Sequence, residues 1–154
     1  MRKGLWIGLL CLIPALGVWG QPTDIILKHL RGYFLTNRTE LGKGMNYVVI
    51  TKEKQFDKMF GIAKTMTNKI DYPDFKKEMV LMLALPETNR ETSIEYVSAI
   101  RAGNFIEVYF KVKRSYPITY TIQPLALAVV PKYTGVNRVK FYEGRKLLRV
   151  EKMK

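Results

Sequence analysis

The sequence contains a single cysteine, Cys11, and a single histidine, His29, among its 154 residues. One cysteine cannot form an intramolecular disulfide, so we expect the core to stabilise the fold, without the disulfides common in small extracellular domains. Clustered ligands for a metal ion are also lacking. Asp71 and Asp74 lie on either side of Pro73, in a pattern typical of a turn. We therefore expect no metal ion and no other cofactor.

The same scarcity argues against catalysis. His29 would have to be the general base of any Ser–His site. The three serines, Ser93, Ser98 and Ser115, lie in or beside strand-like patterns and outside any nucleophile-elbow sequence. The glycines are dispersed and form no phosphate-binding loop. The sequence does not exclude a hydrolase site made of two carboxylates that come together only in the folded chain. It favours a protein that is not an enzyme.

The first twenty residues have the three-part pattern of a secretory signal peptide. Arg2 and Lys3 form a short positive segment, and an almost entirely apolar stretch follows over residues 5–16. That stretch is shorter than the roughly 20 residues that a membrane span requires. We predict cleavage between Gly20 and Gln21, with an uncleaved N-terminal anchor as the alternative.

Cys11 lies inside the apolar stretch and follows Leu10, whereas a lipoprotein would have a small residue before its acylated cysteine. Lipidation is therefore not expected. We predict a secreted or periplasmic protein of bacterial type, with no transmembrane segment after the signal.

Acidic residues are half as frequent as basic ones, 13 against 26, and the formal net charge is +13. This balance favours an anionic partner, either an acidic protein, an acidic glycan or lipid head groups. Nucleic acid is not an expected partner outside the cytoplasm. The plainer interpretation is a charge that keeps the protein soluble without a specific partner.

Apolar patterning predicts a single α+β domain over residues 21–154, with mainly antiparallel sheet, about eight short strands and one packed α-helix. Unbroken apolar runs at 79–85 and 125–130 predict the central buried strands. A helix is predicted over 51–64, with Thr51 as its N-cap and with Phe56, Met59 and Phe60 packed on those strands. A short helix that leads into a strand around 33–36 is also predicted within 25–36.

The clearest strand pattern is the alternation of apolar and polar residues over 106–113, and it follows a turn at Gly103. With residues 92–100 it predicts an antiparallel hairpin. We expect the pair Tyr116 and Pro117 to end that strand, and residues 86–91 to form a loop. Strands over 136–142 and 146–150 are predicted to form a second hairpin with its turn at Gly144.

Four segments between residues 47 and 132 resemble the domain at the C-terminus of the protease complex subunit PrcB. They are a strand running into a helix over 47–60, the run Asp74-Phe75-Lys76-Lys77-Glu78-Met79-Val80, the run Ser93-Ile94-Glu95-Tyr96, and the proline-led strand over 123–131. The resemblance implies a non-catalytic module that supports a secreted protease complex. One departure is the sequence Asn89-Arg90-Glu91-Thr92, where family members usually carry a Thr-Gly-Gly-Tyr-like turn.

We therefore expect a non-catalytic protein-binding module, an accessory or inhibitor of a protease complex, with a secreted protease as a candidate partner. The alternative is a basic module that adheres to an anionic glycan or lipid surface. The candidate partner-binding residues are Arg90 and Glu91 in the expected loop, and Arg138, Lys140, Arg145 and Lys146 in the second hairpin. Arg138 and Lys140 alternate with apolar residues, so we expect both on one solvated sheet face, where they could equally serve to block aggregation.

Overall fold

The protein is described by a computed structural model that defines residues 21–63 and 70–153. The predicted signal peptide, with Gly20 of its cleavage site, lies outside the described residues. Eleven strands and one helix are described. In chain order they are β1 (Thr23–Ile25), β2 (Lys28–Leu30), β3 (Tyr33–Leu35), β4 (Asn46–Ile50), α1 (Glu53–Met59), β5 (Phe60–Ile62), β6 (Glu78–Ala84), β7 (Thr88–Ala102), β8 (Phe105–Ile122), β9 (Leu125–Pro131), β10 (Arg138–Glu143) and β11 (Lys146–Lys152).

The strands form three sheets. Sheet A has the order β1-β7-β8-β10-β11, sheet B has the order β2-β9-β6-β4, and β3 pairs with β5. Every pair is antiparallel except β8 with β10, which is parallel. The predicted β-rich, mainly antiparallel architecture with one helix is therefore confirmed in outline, and the fold is mostly β because α1 has only seven residues. The expected number of about eight strands is too low, because β1, β2 and β5 have only three residues each and show no readable alternation.

Sheet B is buried on both faces, which explains the unbroken apolar runs in its strands. One face packs against sheet A and the other packs under α1 and the β3–β5 pair. The residues toward sheet A are Met79, Leu81, Leu83, Ala128 and Val130, and those toward α1 are Val80, Met82, Ala84, Leu127 and Val129. The prediction that 79–85 and 125–130 form the central buried strands is confirmed.

The helix is shorter than the sequence predicts. It is preceded by Lys52, not Thr51, as its N-cap residue, and it ends at Met59. Phe60 has extended backbone and pairs with Leu35, so tertiary pairing ends the helix before the predicted limit. Phe56 and Phe60 are buried against sheet B as expected, whereas Met59 is only partly buried.

The β7–β8 hairpin is longer than predicted. Pro117 does not end the strand, because β8 continues to Ile122. The register shifts here, with Arg90 opposite Pro117 and Thr88 opposite Ile122, and such irregularities accommodate a proline. The expected loop at 86–91 is also wrong, because β7 begins at Thr88.

The short helix predicted within 25–36 does not form, whereas the strand predicted around 33–36 is present as β3. β1 pairs with β7, β2 with β9, and β3 with β5. The extended conformation of this segment depends on strand partners that are distant in sequence, such as Ala128 opposite His29. The turns at Gly103 and Gly144 are confirmed, and both glycines have positive φ, +60° and +59°.

Candidate partner-binding face

The face of sheet A that points away from sheet B is exposed to solvent and carries tyrosines and basic side chains. Alternate residues of β8 and β10 are buried in the core, namely Ile106, Val108, Phe110, Val139 and Phe141. The residues between them therefore project from the opposite side of the sheet. We call this surface the outer face, and on β8 and β10 it consists of Phe105, Glu107, Tyr109, Lys111, Lys113, Arg138, Lys140 and Tyr142.

Two tyrosines and one glutamate form a hydrogen-bonded cluster at the middle of the outer face. Tyr109 and Tyr142 lie opposite each other on β8 and β10, and their rings stack with centroids 5.0 Å apart and planes 19° apart. The two hydroxyls donate to the two carboxylate oxygens of Glu107, at 3.0 Å and 3.2 Å. One carboxylate thus fixes the orientation of both rings.

This cluster affects the ionisation of its tyrosines. Partial burial and the neighbouring Glu107 carboxylate raise the pKa of both Tyr109 and Tyr142 above the usual value of 10.0. Both hydroxyls therefore stay protonated at neutral pH and act as hydrogen-bond donors.

A lysine and an aromatic ring make a second contact on the same face. The Lys140 ammonium lies 3.4 Å from the centroid of the Phe105 ring, a cation–π arrangement. Lys140 lies opposite Glu107 in the strand register, and Arg138 lies opposite Phe105. Arg138 is exposed and has no ion-pair partner in the described chain.

Toward the far end of β8, Glu95 of β7 forms ion pairs with Lys111 at 2.8 Å and Lys113 at 3.1 Å. Hydrogen bonds from Lys111 and then Lys113 lower the pKa of the Glu95 carboxyl. All three side chains are exposed enough that these pairs contribute little to stability. The ion pairs leave this end of the outer face positively charged, because the single carboxylate of Glu95 offsets only one of the two lysine charges.

The structure separates the four basic residues predicted in the second hairpin. Arg138 and Lys140 lie together at the start of β10, on the solvated face as predicted. Arg145 and Lys146 lie at the β10–β11 turn, at the other end of the strand. A strand rises about 3.3 Å per residue, which places Arg138 and Arg145 roughly 20 Å apart. The four residues therefore do not form one patch.

Arg90 and Glu91 lie in β7 and make contacts within the chain. The Arg90 guanidinium donates from Nε and one Nη to the Ser115 carbonyl oxygen, at 3.2 Å and 3.0 Å. Glu91 accepts a hydrogen bond from the Tyr116 hydroxyl, which raises the pKa of Tyr116. Both residues thus tie β7 to β8.

Glu107, Tyr109 and Tyr142 are not among the site residues predicted from the sequence. The alternation in β8 places Glu107 and Tyr109 on the solvated side, and it is the one sequence signal that points to them. Tyr142 lies beside them because β10 pairs in parallel with β8. The two strands are separated in sequence by a crossover connection, so no local pattern predicts their pairing.

The surroundings of His29 and the acidic residues were the remaining candidates for a metal site or a reactive group. They contain no group of three or more His, Cys, Asp or Glu side chains able to hold a metal ion. The His29 ring lies near the Tyr96 ring, with centroids 6.3 Å apart, and its imidazole makes no hydrogen bond to the described residues. Both line an open groove of about 470 Å³ beside β9. The Tyr96 hydroxyl is buried and has no hydrogen-bond partner.

In the part of the chain that is described, no helix has the length and apolar character needed to cross a membrane. Comparisons of the chain with protein-family models, with curated proteins and with solved structures find no match.

Proposed function

We propose that this protein is a non-catalytic, secreted or periplasmic binding module that binds another protein through the outer face of sheet A. The observation that carries the proposal is the Tyr109–Tyr142 pair, oriented by Glu107 and flanked by Lys140 and Arg138. Tyrosine and arginine are enriched at protein interfaces and dominate their binding energy. Side chains that are already ordered lose less conformational entropy when a partner binds.

The charge of the face indicates an acidic partner surface. Glu107 already accepts two tyrosine hydroxyls, and Glu95 is paired with Lys111 and Lys113. The cations at the other end of the face, Arg138 and Lys140, have no carboxylate partner in the described chain. An acidic protein surface would supply carboxylates to both.

A secreted protease or its complex is the partner class that the resemblance to the PrcB C-terminal domain suggests. The segments of that resemblance lie on β4 and α1, on the turn into β6, on β7 and on β9. The departing segment at Asn89–Thr92 lies within β7, where Arg90 and Glu91 bind to β8. We propose an accessory or inhibitory role toward such a protease.

A second candidate function is adhesion to an acidic glycan or to lipid head groups, and the net charge of +13 favours it. The geometry of the tyrosine pair favours a protein instead. At 5.0 Å and 19° each ring covers one face of the other, which reduces the flat aromatic surface available to a sugar ring.

Salt dependence separates the two candidates. The immobilised protein would be exposed to an extract of its native envelope at about 50 mM salt and washed at about 0.5 M salt. A protein interface with an apolar centre should keep its partner through the wash, whereas purely electrostatic adhesion should be lost. Recovery of glycan or lipid alone at low salt, with no reproducible protein at either salt concentration, would exclude the protein-binding function.

A further inference from the structure

Sheet A has a vacant strand position beside β8. β10 pairs with β8 only from Phe105 to Phe110, and the chain then turns at Gly144 into β11. β8 continues to Ile122 and pairs with β7 along its opposite edge. Within residues 21–63 and 70–153, no strand pairs with the β10-side edge of β8 after Phe110. An additional strand could occupy this edge, in line with β10.

The vacant position is surrounded by basic side chains. Lys111, Lys113 and Arg114 come from β8, and Arg145 and Lys146 follow Glu143, the β10 residue that lies opposite Phe110 where the position begins. The nearby carboxylates are Glu95, which is shared by two lysines, Glu91 beside Tyr116, and Glu143 at the end of β10. Basic residues therefore outnumber acidic ones here, and Arg114, Arg145 and Lys146 have no ion-pair partner in the described chain.

This part of the β7–β8 hairpin is held in place although it contributes little to the core. From Lys113 to Pro117 every residue of β8 is exposed. Two strands without a packed face are marginal in water. The hydrogen bonds from Arg90 to the Ser115 carbonyl and from Tyr116 to Glu91 hold the strands together, so the free edge is already extended.

We propose that the free edge of β8 from Lys111 to Tyr116 binds an extended acidic segment of a partner protein, which adds to sheet A as a strand. This inference rests on the proposed protein-binding function and specifies the chemistry of the partner. Main-chain hydrogen bonds to the edge supply affinity, and the surrounding cations select acidic side chains. A second copy of this chain is a poor occupant, because pairing β8 with its own copy would bring Lys111, Lys113 and Arg114 together.

The experiment uses a capped peptide of alternating glutamate and threonine, about eight residues long, and a matched peptide of alternating lysine and threonine. Binding to the protein is measured at about 50 mM salt, with amide hydrogen exchange recorded residue by residue by NMR. The variants are R145E/K146E, at the vacant position, and K54E/K58E, on the exposed side of α1, as a control with the same change in net charge.

We expect the glutamate peptide to bind and the lysine peptide not to bind. Amide exchange should slow at alternate residues between Lys111 and Tyr116, because alternate amides of a strand point to the same edge. R145E/K146E should weaken binding about tenfold or more, and K54E/K58E should not.

Three results would overturn the inference: equal binding of the two peptides, binding without alternate amide protection in β8, or no binding of the glutamate peptide at all. A dimer that protects the same amides in the absence of peptide would also overturn it, since the second copy would then be the occupant. These results differ from a failure of the proposed function, in which the native envelope yields no protein partner. A native partner that is lost in R138E/K140E but retained in R145E/K146E would support the outer face and exclude the strand position.

Discussion

Tyr109 and Tyr142 stack across two parallel neighbouring strands, and their hydroxyls donate to the same carboxylate, that of Glu107. This arrangement places an ordered aromatic pair on a solvent-facing sheet. It contributes nothing to the core, which lies on the other side of β8 and β10. This exposed, ordered pair is the feature on which we base the proposed binding function.

The substitution Glu107→Gln should lower the pKa of both Tyr109 and Tyr142. The glutamine keeps a hydrogen-bond acceptor but removes the negative charge that opposes tyrosinate formation, while the contribution of burial remains. An ultraviolet titration of tyrosinate should therefore show two tyrosines ionising at lower pH than in the unchanged protein. Glu95→Gln, on the same sheet, is the control. An unaltered titration curve for Glu107→Gln would mean that the cluster does not form.

The substitution Tyr96→Phe should stabilise the protein. The Tyr96 hydroxyl is buried without a hydrogen-bond partner, and such a group costs about 1–3 kcal/mol. Removing it should raise the free energy of unfolding by about 1 kcal/mol in urea denaturation at neutral pH. Tyr120→Phe, at a position that is 64% exposed, should have no effect. A destabilised Tyr96→Phe protein would reveal a partner for the hydroxyl.

Burial raises the pKa of Tyr96 well above 10.0, which predicts a dependence of stability on alkaline pH. A raised pKa in the folded state means that the folded protein favours the neutral phenol. Below pH 10.0 the phenol is neutral in both states, so the ionisation of Tyr96 does not reduce stability there. Above that pH the unfolded chain ionises first, and stability falls by about 1.4 kcal/mol for each pH unit. Tyr96→Phe should lose less stability above pH 10.0 than the unchanged protein does.

The substitution Phe56→Ala should destabilise the fold by about 3–5 kcal/mol, through lost burial and the cavity it leaves. The Phe56 ring is 1% exposed and contacts four other aromatic rings, those of Tyr33, Phe60, Tyr72 and Phe75. Chemical denaturation should detect this loss. Phe34→Ala, at a half-exposed position on β3, should cost much less. Equal effects of the two substitutions would mean that α1 does not pack on sheet B as described.

The substitution Lys132→Met should cost about 1–3 kcal/mol. The Lys132 ammonium donates to the carbonyl oxygens of Thr51 and Phe75 and so joins the end of β9 to the segments before α1 and before β6. Methionine keeps most of the apolar stem but leaves both carbonyl groups without this donor. Thermal or urea unfolding should show the loss, with Lys76→Met at an exposed position as the control. A neutral Lys132→Met would show that water replaces the ammonium.

The sequence predicted the parts of the fold that local patterns encode. The runs at 79–85 and 125–130 identified the doubly buried strands, and the alternation over 106–113 identified the inner and outer sides of β8. The positions of Arg138 and Lys140 on one solvated face followed from the same reasoning and are confirmed.

Long-range pairing produced the features that the sequence did not predict. The helix ends before Phe60, which pairs with Leu35 in a strand. Pro117 lies within β8, where a shift in the register accommodates it. The parallel pairing of β10 with β8 brought Tyr142 beside Tyr109 and separated Arg145 from Arg138. None of these contacts has a signal within a short window of sequence.

The most direct test of the protein-binding function is the retention of a native envelope partner by the variant R138E/K140E. Both substitutions lie on the solvated face, so circular dichroism should show an unchanged fold, although the loss of the Lys140–Phe105 contact and a second carboxylate opposite Glu107 should lower the melting temperature slightly. Quantitative mass spectrometry at about 50 mM salt should show the partner retained by the unchanged protein and by K54E/K58E, and reduced about tenfold or more by R138E/K140E. Equal retention of the partner by all three folded proteins would contradict the assignment of the outer face as the binding surface.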